Sequence, residues 1–142
     1  LTMMGVIFGE KHSYRDWRLV LKSRPVISPP TPKTKLIQVP GSDRVIDLTE
    51  SLTGAVHYEL RQMSFEFLMI DERERWPITY SAILAALHGK RLKITLDDDA
   101  NYYYEGRVTV GDLEADKKAA TLTITAEVEP YKRERFGTGR RL

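Results

Sequence analysis

An α+β or mostly-β sandwich of about eight strands and one helix is the fold this sequence predicts, and three observations predict it. Apolar residues alternate with polar ones at period 2 in several segments, the pattern of half-buried strands. A single segment, Tyr80, Ile83, Leu84 and Leu87, follows the i, i+3, i+4, i+7 spacing of an apolar helical stripe. The length of 142 residues, with 42% hydrophobic and 30% charged side chains, fits one domain with a sizeable core. The absence of Cys excludes a disulfide framework, thiol catalysis and cysteine-ligated metals. No apolar run approaches the roughly 18 to 20 residues that span a bilayer, and no basic-then-apolar leader pattern opens the chain.

The elements follow in order. Leu1 and Thr2 precede Met3 and Met4 and stay outside the fold argument; Met4 to Phe8 has strand composition and Gly9 ends it. His12 to Trp17 is a polar turn or a short helical turn, and Trp17, Leu19 and Leu21 then alternate as a strand. Ser28-Pro29-Pro30-Thr31-Pro32 is a loop, because three prolines remove three backbone donors. Thr34 to Val39 is a third strand, closed by Pro40-Gly41. A polar connection, residues 40–54, follows, with a short apolar centre at Val45 to Leu48.

Ala55 to Ile70 reads as one long strand. Met63, Phe65, Phe67 and Met69 share one face, whereas Val56, Tyr58 and Leu60 have the opposite parity, so a bulge or a change of partner sheet is expected near Arg61-Gln62. The helix comes next, with Asp71 or a neighbour as cap, Pro77 in its first turn and Gly89 as the left-handed residue after it. Leu92, Ile94 and Leu96 form one strand face; Tyr102, Tyr104, Gly106, Val108 and Val110 form the next; Leu122, Ile124, Ala126 and Val128 form the last. Gly111 to Lys118 is the hairpin loop between the last two. The expected core unites Phe8, Trp17, Leu19, Leu21, Phe65, Phe67, Ile83, Leu84, Leu87, Leu92, Ile94, Leu122, Ile124 and Val128.

No constellation of residues selects a reaction. Asp97-Asp98-Asp99 lacks the alternate spacing and the Gly of a calcium loop, and neighbouring residues at a strand end point to opposite faces. His12, His57 and His88 show no metal-ligand spacing, and His88 suits the negative end of the helix dipole. Neither a nucleophile elbow nor a phosphate-binding loop occurs. The expectation is therefore a protein with no enzymatic activity, no cofactor and no metal. Among Tyr102-Tyr103-Tyr104, the outer two share the core parity, while Tyr103 faces outward with Glu105 and Arg107 as a contact for a partner subunit.

Charge divides along the chain. Residues 1–35 carry a balance of +5, residues 36–130 carry −7, and residues 131–142 carry +4, so basic ends flank an acidic middle. A sequence-specific nucleic-acid binder concentrates its cations on the folded body instead.

Several segments together resemble the N-terminal domain of phage distal tail proteins, the baseplate-hub components of long-tailed, non-contractile phages and related prophages. They are Gly5-Val6-Ile7-Phe8-Gly9 with His12-Ser13-Tyr14 and Trp17; Val39-Pro40-Gly41 through Asp47; and Leu52-Thr53-Gly54 with Tyr58 and Arg61. Leu87-His88-Gly89-Lys90, the run Leu96 to Gly106, and Glu129-Pro130-Tyr131-Lys132 complete the series. The order and spacing over residues 4–132 carry the likeness. Ser42-Asp43-Arg44 departs from it, since an Asp-Gly turn is more usual there.

The resemblance implies a rolled β-sandwich with one helix, akin to tail-tube proteins, over residues 3–131, with 132–142 as a flexible basic tail. It implies a homo-hexameric ring at the virion tail tip, assembled in the bacterial host cytoplasm. That ring would join the tail tube protein to the tail-tip hub or tail-associated lysin and to receptor-binding or fibre proteins. The second, carbohydrate-binding-like or adaptor domain of larger relatives is not expected, nor is membrane or sequence-specific nucleic-acid binding. Arg44, Asp47, Glu50, Tyr103 and Arg107 are the expected subunit or partner contacts. The alternative is a small carbohydrate- or single-stranded nucleic-acid-binding module using outward tyrosines and the basic ends, with an unrecognised hydrolase behind it.

Overall fold

A computed structural model of the chain describes residues 5–34, 36–38, 40–41, 43, 45–48, 57–116 and 119–135. Eleven strands appear among them, all paired antiparallel. The N-terminal part holds β1 (Val6–Phe8), β2 (Lys11–His12), helix α1 (Ser13–Trp17), β3 (Leu19–Leu21) and β4 (Val26–Ile27). A separate hairpin follows, β5 (Leu36–Gln38) with β6 (Val45–Asp47). The remainder is β7 (Arg61–Met69), helix α2 (Trp76–Leu87), β8 (Arg91–Leu96), β9 (Tyr102–Ala115), β10 (Ala120–Val128) and β11 (Arg133–Glu134).

Nine strands make one sheet in the order β2-β1-β8-β9-β10-β7-β3, with β11 added to β9 and β4 to β7. Four strand spacings separate β1 from β7, which in a flat sheet would be about 19 Å. Yet the Phe8 ring on β1 lies 5.4 Å from the Phe65 ring on β7 and 6.4 Å from that of Phe67. The sheet therefore rolls until its two ends face each other across the core. The expected β-rich sandwich with one principal helix is the observed architecture.

The alternation of apolar residues sets the inside of the roll. Met63, Phe65, Phe67 and Met69 are buried on β7, and Leu122, Ile124, Ala126 and Val128 on β10. Ile94, Leu96, Tyr104, Val108 and Val110 join them from β8 and β9. Of the expected core, Leu21, Leu84 and Leu92 are half-buried and pack against it; the other members are fully buried. Gly106 allows the closest strand approach: a Cβ there would collide with the Glu127 carbonyl and Val128 Cα of β10, backbone atoms that cannot yield.

Several boundaries differ from the sequence expectation. Trp17 enters the core from α1, because Arg18 turns the chain in the left-handed conformation (φ 56°) before β3 begins. The strand expected from Ala55 begins at Arg61, and its register with β10 runs unbroken from Val128↔Arg61 to Ala120↔Met69. The change of parity marks the strand's start and a change of partner, and no bulge lies at Arg61-Gln62. Tyr58 instead bridges Pro32, through Lys33 N–H to the His57 carbonyl and Glu59 N–H to the Thr31 carbonyl, both 2.7 Å. Pro32 sits in the pair that exchanges no hydrogen bonds, where its missing donor costs nothing. Val56 lies outside the described residues.

The irregularity belongs to β9. Its register with β10 shifts between Leu122↔Leu113 and Ile124↔Val110, giving β9 an extra residue at Gly111-Asp112. The strand then continues to Ala115, well into the segment expected as a loop. The Tyr80 hydroxyl of α2 donates to the Gly111 carbonyl at 2.8 Å, tying the helix to this bulge.

Helix α2 buries Trp76, Thr79, Ile83 and Leu87, with Tyr80 and Leu84 flanking them. Its cap is Arg75, without a side-chain hydrogen bond. Asp71 acts one turn earlier: it ion-pairs with Arg75 at 3.2 Å, and its carbonyl accepts the Trp76 indole N–H at 3.0 Å. Gly89 follows the helix with φ 75°, as expected. His88 stands at the C-terminal end of α2, and its Nδ1 accepts the Val110 N–H at 3.0 Å. Among the described residues, no helix is long and apolar enough to cross a membrane.

Candidate assembly surfaces

Every described side chain of β5 and β6 is exposed. Leu36 pairs with Asp47, Ile37 with Ile46 and Gln38 with Val45, and neither strand pairs with the nine-stranded sheet. A two-stranded ribbon alone in water is marginal at best. Leu36, Val45 and Ile46 are nonetheless 59%, 56% and 47% exposed. What the sequence suggested as a third strand and a polar connection is thus one hairpin, turning through Pro40-Gly41 with Gly41 at φ 74°. Asp47 stands on it, exposed; Arg44 and Glu50 lie outside the described residues.

A second surface is the outer face of the roll, where Tyr103 and Arg107 share one side of β9. Lys93 Nζ sits 5.0 Å from the centre of the Tyr103 ring, and the strand partner of Tyr103 is Arg133 of β11. Arg107 is exposed and donates to the Gly89 carbonyl at 2.7 Å, at the end of α2. Charges on this face neutralise one another: Arg91 reaches Glu105 at 3.0 Å and Glu129 at 3.1 Å, and Lys22 reaches Glu66 at 3.5 Å. Lys132 covers the Tyr102 ring at 4.7 Å. Both half-buried tyrosines already have a cation against one ring face, which weakens the case for base or sugar stacking.

The Asp97-Asp98-Asp99 cluster forms a short 3-10 turn whose carboxylates diverge to three partners. Asp97 accepts the Gly5 N–H at 2.9 Å and His12 Nε2 at 2.9 Å; Asp98 pairs with Arg24; Asp99 pairs with Lys132 at 2.8 Å. His12 also caps α1, its Nδ1 accepting from Tyr14 N–H and Arg15 N–H, both at 3.2 Å. With Nδ1 as acceptor, the ring proton resides on Nε2 and is donated to Asp97. This link across 85 residues was invisible in the sequence, where the histidines look isolated. The first residues of the stretch expected as a flexible tail are held as well. Arg133–Glu134 pairs with β9, and Arg135 N–H donates to the Asn101 carbonyl at 2.7 Å; residues 136–142 lie outside the described residues.

A polar cleft of about 810 Å³ opens between the Pro32–Tyr58 bridge and the end of β10, lined by Lys33, His57, Tyr58, Glu129, Tyr131 and Arg133 among others. Tyr58 and Tyr131 meet edge to face across it at 6.1 Å. Among the described residues, no group of three or more acidic or histidine side chains is arranged to hold a metal ion.

Sequence reasoning missed the exposed large apolar residues: Val26 on β4, Leu36, Val45 and Ile46 on the hairpin, Leu60 before β7, Ile70 after it, and Ile78 on α2. One signal was available for the last, since the twelve residues of α2 (WPITYSAILAAL) contain no charged side chain.

No protein-family profile matches the sequence, and no curated protein matches it. The structure is similar to the crystal structure of SPP1 Dit (gp 19.1), described as a paradigm of the hub adsorption apparatus in phages that infect Gram-positive bacteria. The superposition has a TM-score of 0.71 at 12% identity and covers 94% of this chain and 53% of that one. The chain thus spans about half the length of the protein whose fold it shares.

Proposed function

We propose that this chain is a structural component of a phage or prophage tail tip, with residues 3–131 acting as a distal-tail-protein-like domain. It forms a homo-hexameric ring that joins the tail tube to the baseplate hub and to receptor-binding or fibre proteins. The likeness of the fold to a phage hub protein over 94% of the chain carries this reading. The exposed β5–β6 hairpin, a ribbon that needs cover, supports it, and so do the self-neutralised charges on the outer sheet face. Arg44, Asp47, Glu50, Tyr103 and Arg107 are proposed as contacts in that assembly. The role is non-enzymatic: the carboxylates of Asp97, Asp98 and Asp99 and the His12 ring are engaged in a helix cap, hydrogen bonds and ion pairs.

Native mass spectrometry and negative-stain imaging of the full chain test the reading. Six-fold rings are expected at high protein concentration. A monomer that binds glycans or oligonucleotides in place of assembling would overturn it in favour of a small binding module.

A further inference from the structure

We infer that the ring closes by docking the β5–β6 hairpin of one copy onto the outer face of helix α2 in the next copy. The inference rests on the ring reading above and names the surface that receives the hairpin.

Two unlike apolar surfaces stand uncovered on the same chain. One is the hairpin, with Leu36, Val45 and Ile46 exposed. The other is the side of α2 turned away from the core, where Ile78 is 69% exposed and Ala82 and Ala85 follow on the same stripe. A helix without charge all round is normally buried on every side. Here one side faces the sheet and the other faces solvent.

Dimensions agree. Ile78 to Ala85 spans about 10 Å along a helix, and a three-residue strand covers about 7 to 10 Å. The small side chains of Ala82 and Ala85 leave room for the branched residues of a ribbon beside Ile78.

Charge orients the pair. At the far end of the stripe, Lys90 Nζ donates to the Ala85 carbonyl at 2.7 Å, and Arg107 donates to the Gly89 carbonyl. Two exposed cations therefore border the helix face at its C-terminal end. The hairpin brings Asp47 immediately after Val45 and Ile46, at its open end. Docking with the open end of the hairpin at the helix C-terminus sets Asp47 toward Lys90 and Arg107. Docking hairpin on hairpin would set Asp47 of each copy near its own kind, which is unfavourable. Unlike surfaces that meet head to tail generate a ring when the rotation closes. The second copy is thus the occupant that both faces share.

Because the chain has no Cys, disulfide trapping gives a clean test. Val45→Cys is prepared as one variant, and Ile78→Cys, Ala82→Cys and Ala85→Cys as three others. Mixed and oxidised, Val45→Cys with at least one of the helix variants should yield a cross-linked dimer. The double variant V45C/I78C, or its Ala82 or Ala85 counterpart, should give a ladder ending in a closed ring. Asp47→Lys and Arg107→Glu should each lower ring yield several-fold, and the two together should restore it. Rings that form without any helix cross-link, or with a Val45→Cys to Val45→Cys bridge instead, overturn this interface while leaving the ring reading intact. Monomers at every concentration, with no cross-link, overturn both.

Discussion

Phe67 is fully buried, stacked on Phe65 with centroids 6.2 Å apart, and Phe8 closes over both from the opposite end of the rolled sheet. Truncation there removes contacts from two ends of the sheet at once. Phe67→Ala is expected to cost about 3–5 kcal/mol, read as a lowered denaturant midpoint with unchanged slope. A near-neutral result would mean that this face of β7 does not carry the core. Asp97, Asp98 and Asp99 predict the opposite kind of outcome. Each carboxylate already engages a different element, through Gly5 and His12, Arg24 and Lys132 respectively. Calcium or EDTA should therefore leave the thermal midpoint unchanged, whereas a calcium-dependent rise would show a cation held by the folded state.

At the scale of elements, the hairpin and helix α2 differ in what they give the monomer. No buried residue of the hydrophobic core among the described side chains falls between Leu19 and Met63, so the described side chains of β5 and β6 lie outside the central core. Deleting residues 42–53 should leave the far-ultraviolet dichroism and cooperative unfolding of the sheet in place. It should also abolish ring assembly, as seen by native mass. Intact rings from that deletion would move the interface elsewhere. Helix α2 cannot be removed so cleanly, because Trp76, Ile83 and Leu87 are buried beneath it and Tyr80 holds the β9 bulge.

For the whole molecule, the distribution of charge bears on what passes through a ring. Residues 36–130 carry a balance of −7, and on the outer sheet face Arg91 is engaged by Glu105 and Glu129. A lining of strong uncompensated cations would hold the phosphate backbone by counterion release. Assembled rings should therefore fail to retain duplex DNA at physiological salt in a filter or gel-shift assay. Tight, steeply salt-dependent retention would argue against a conduit.

By itself, the sequence determined the inner face of the long strands. Burying alternate residues of a pleated strand is a local consequence of its period of two, so Met63 to Met69 and Leu122 to Val128 announce their inner face without any partner. The apolar stripe of Tyr80, Ile83, Leu84 and Leu87 and the Gly89 after it announced α2 in the same way. Tertiary structure alone decided the roll that brings Phe8 onto Phe65, the bulge at Gly111-Asp112, and the His12–Asp97 link. These depend on which strands become neighbours, and residues 57 or 85 positions apart leave no periodic mark on each other. The candidate interface divides similarly. Asp47 and Arg107 were readable as exposed charges, but their meaning depends on the apolar faces beside them. Leu36, Val45, Ile46 and Ile78 look like core residues in a linear chain, and only the folded sheet, already full, shows that the core has no place for them.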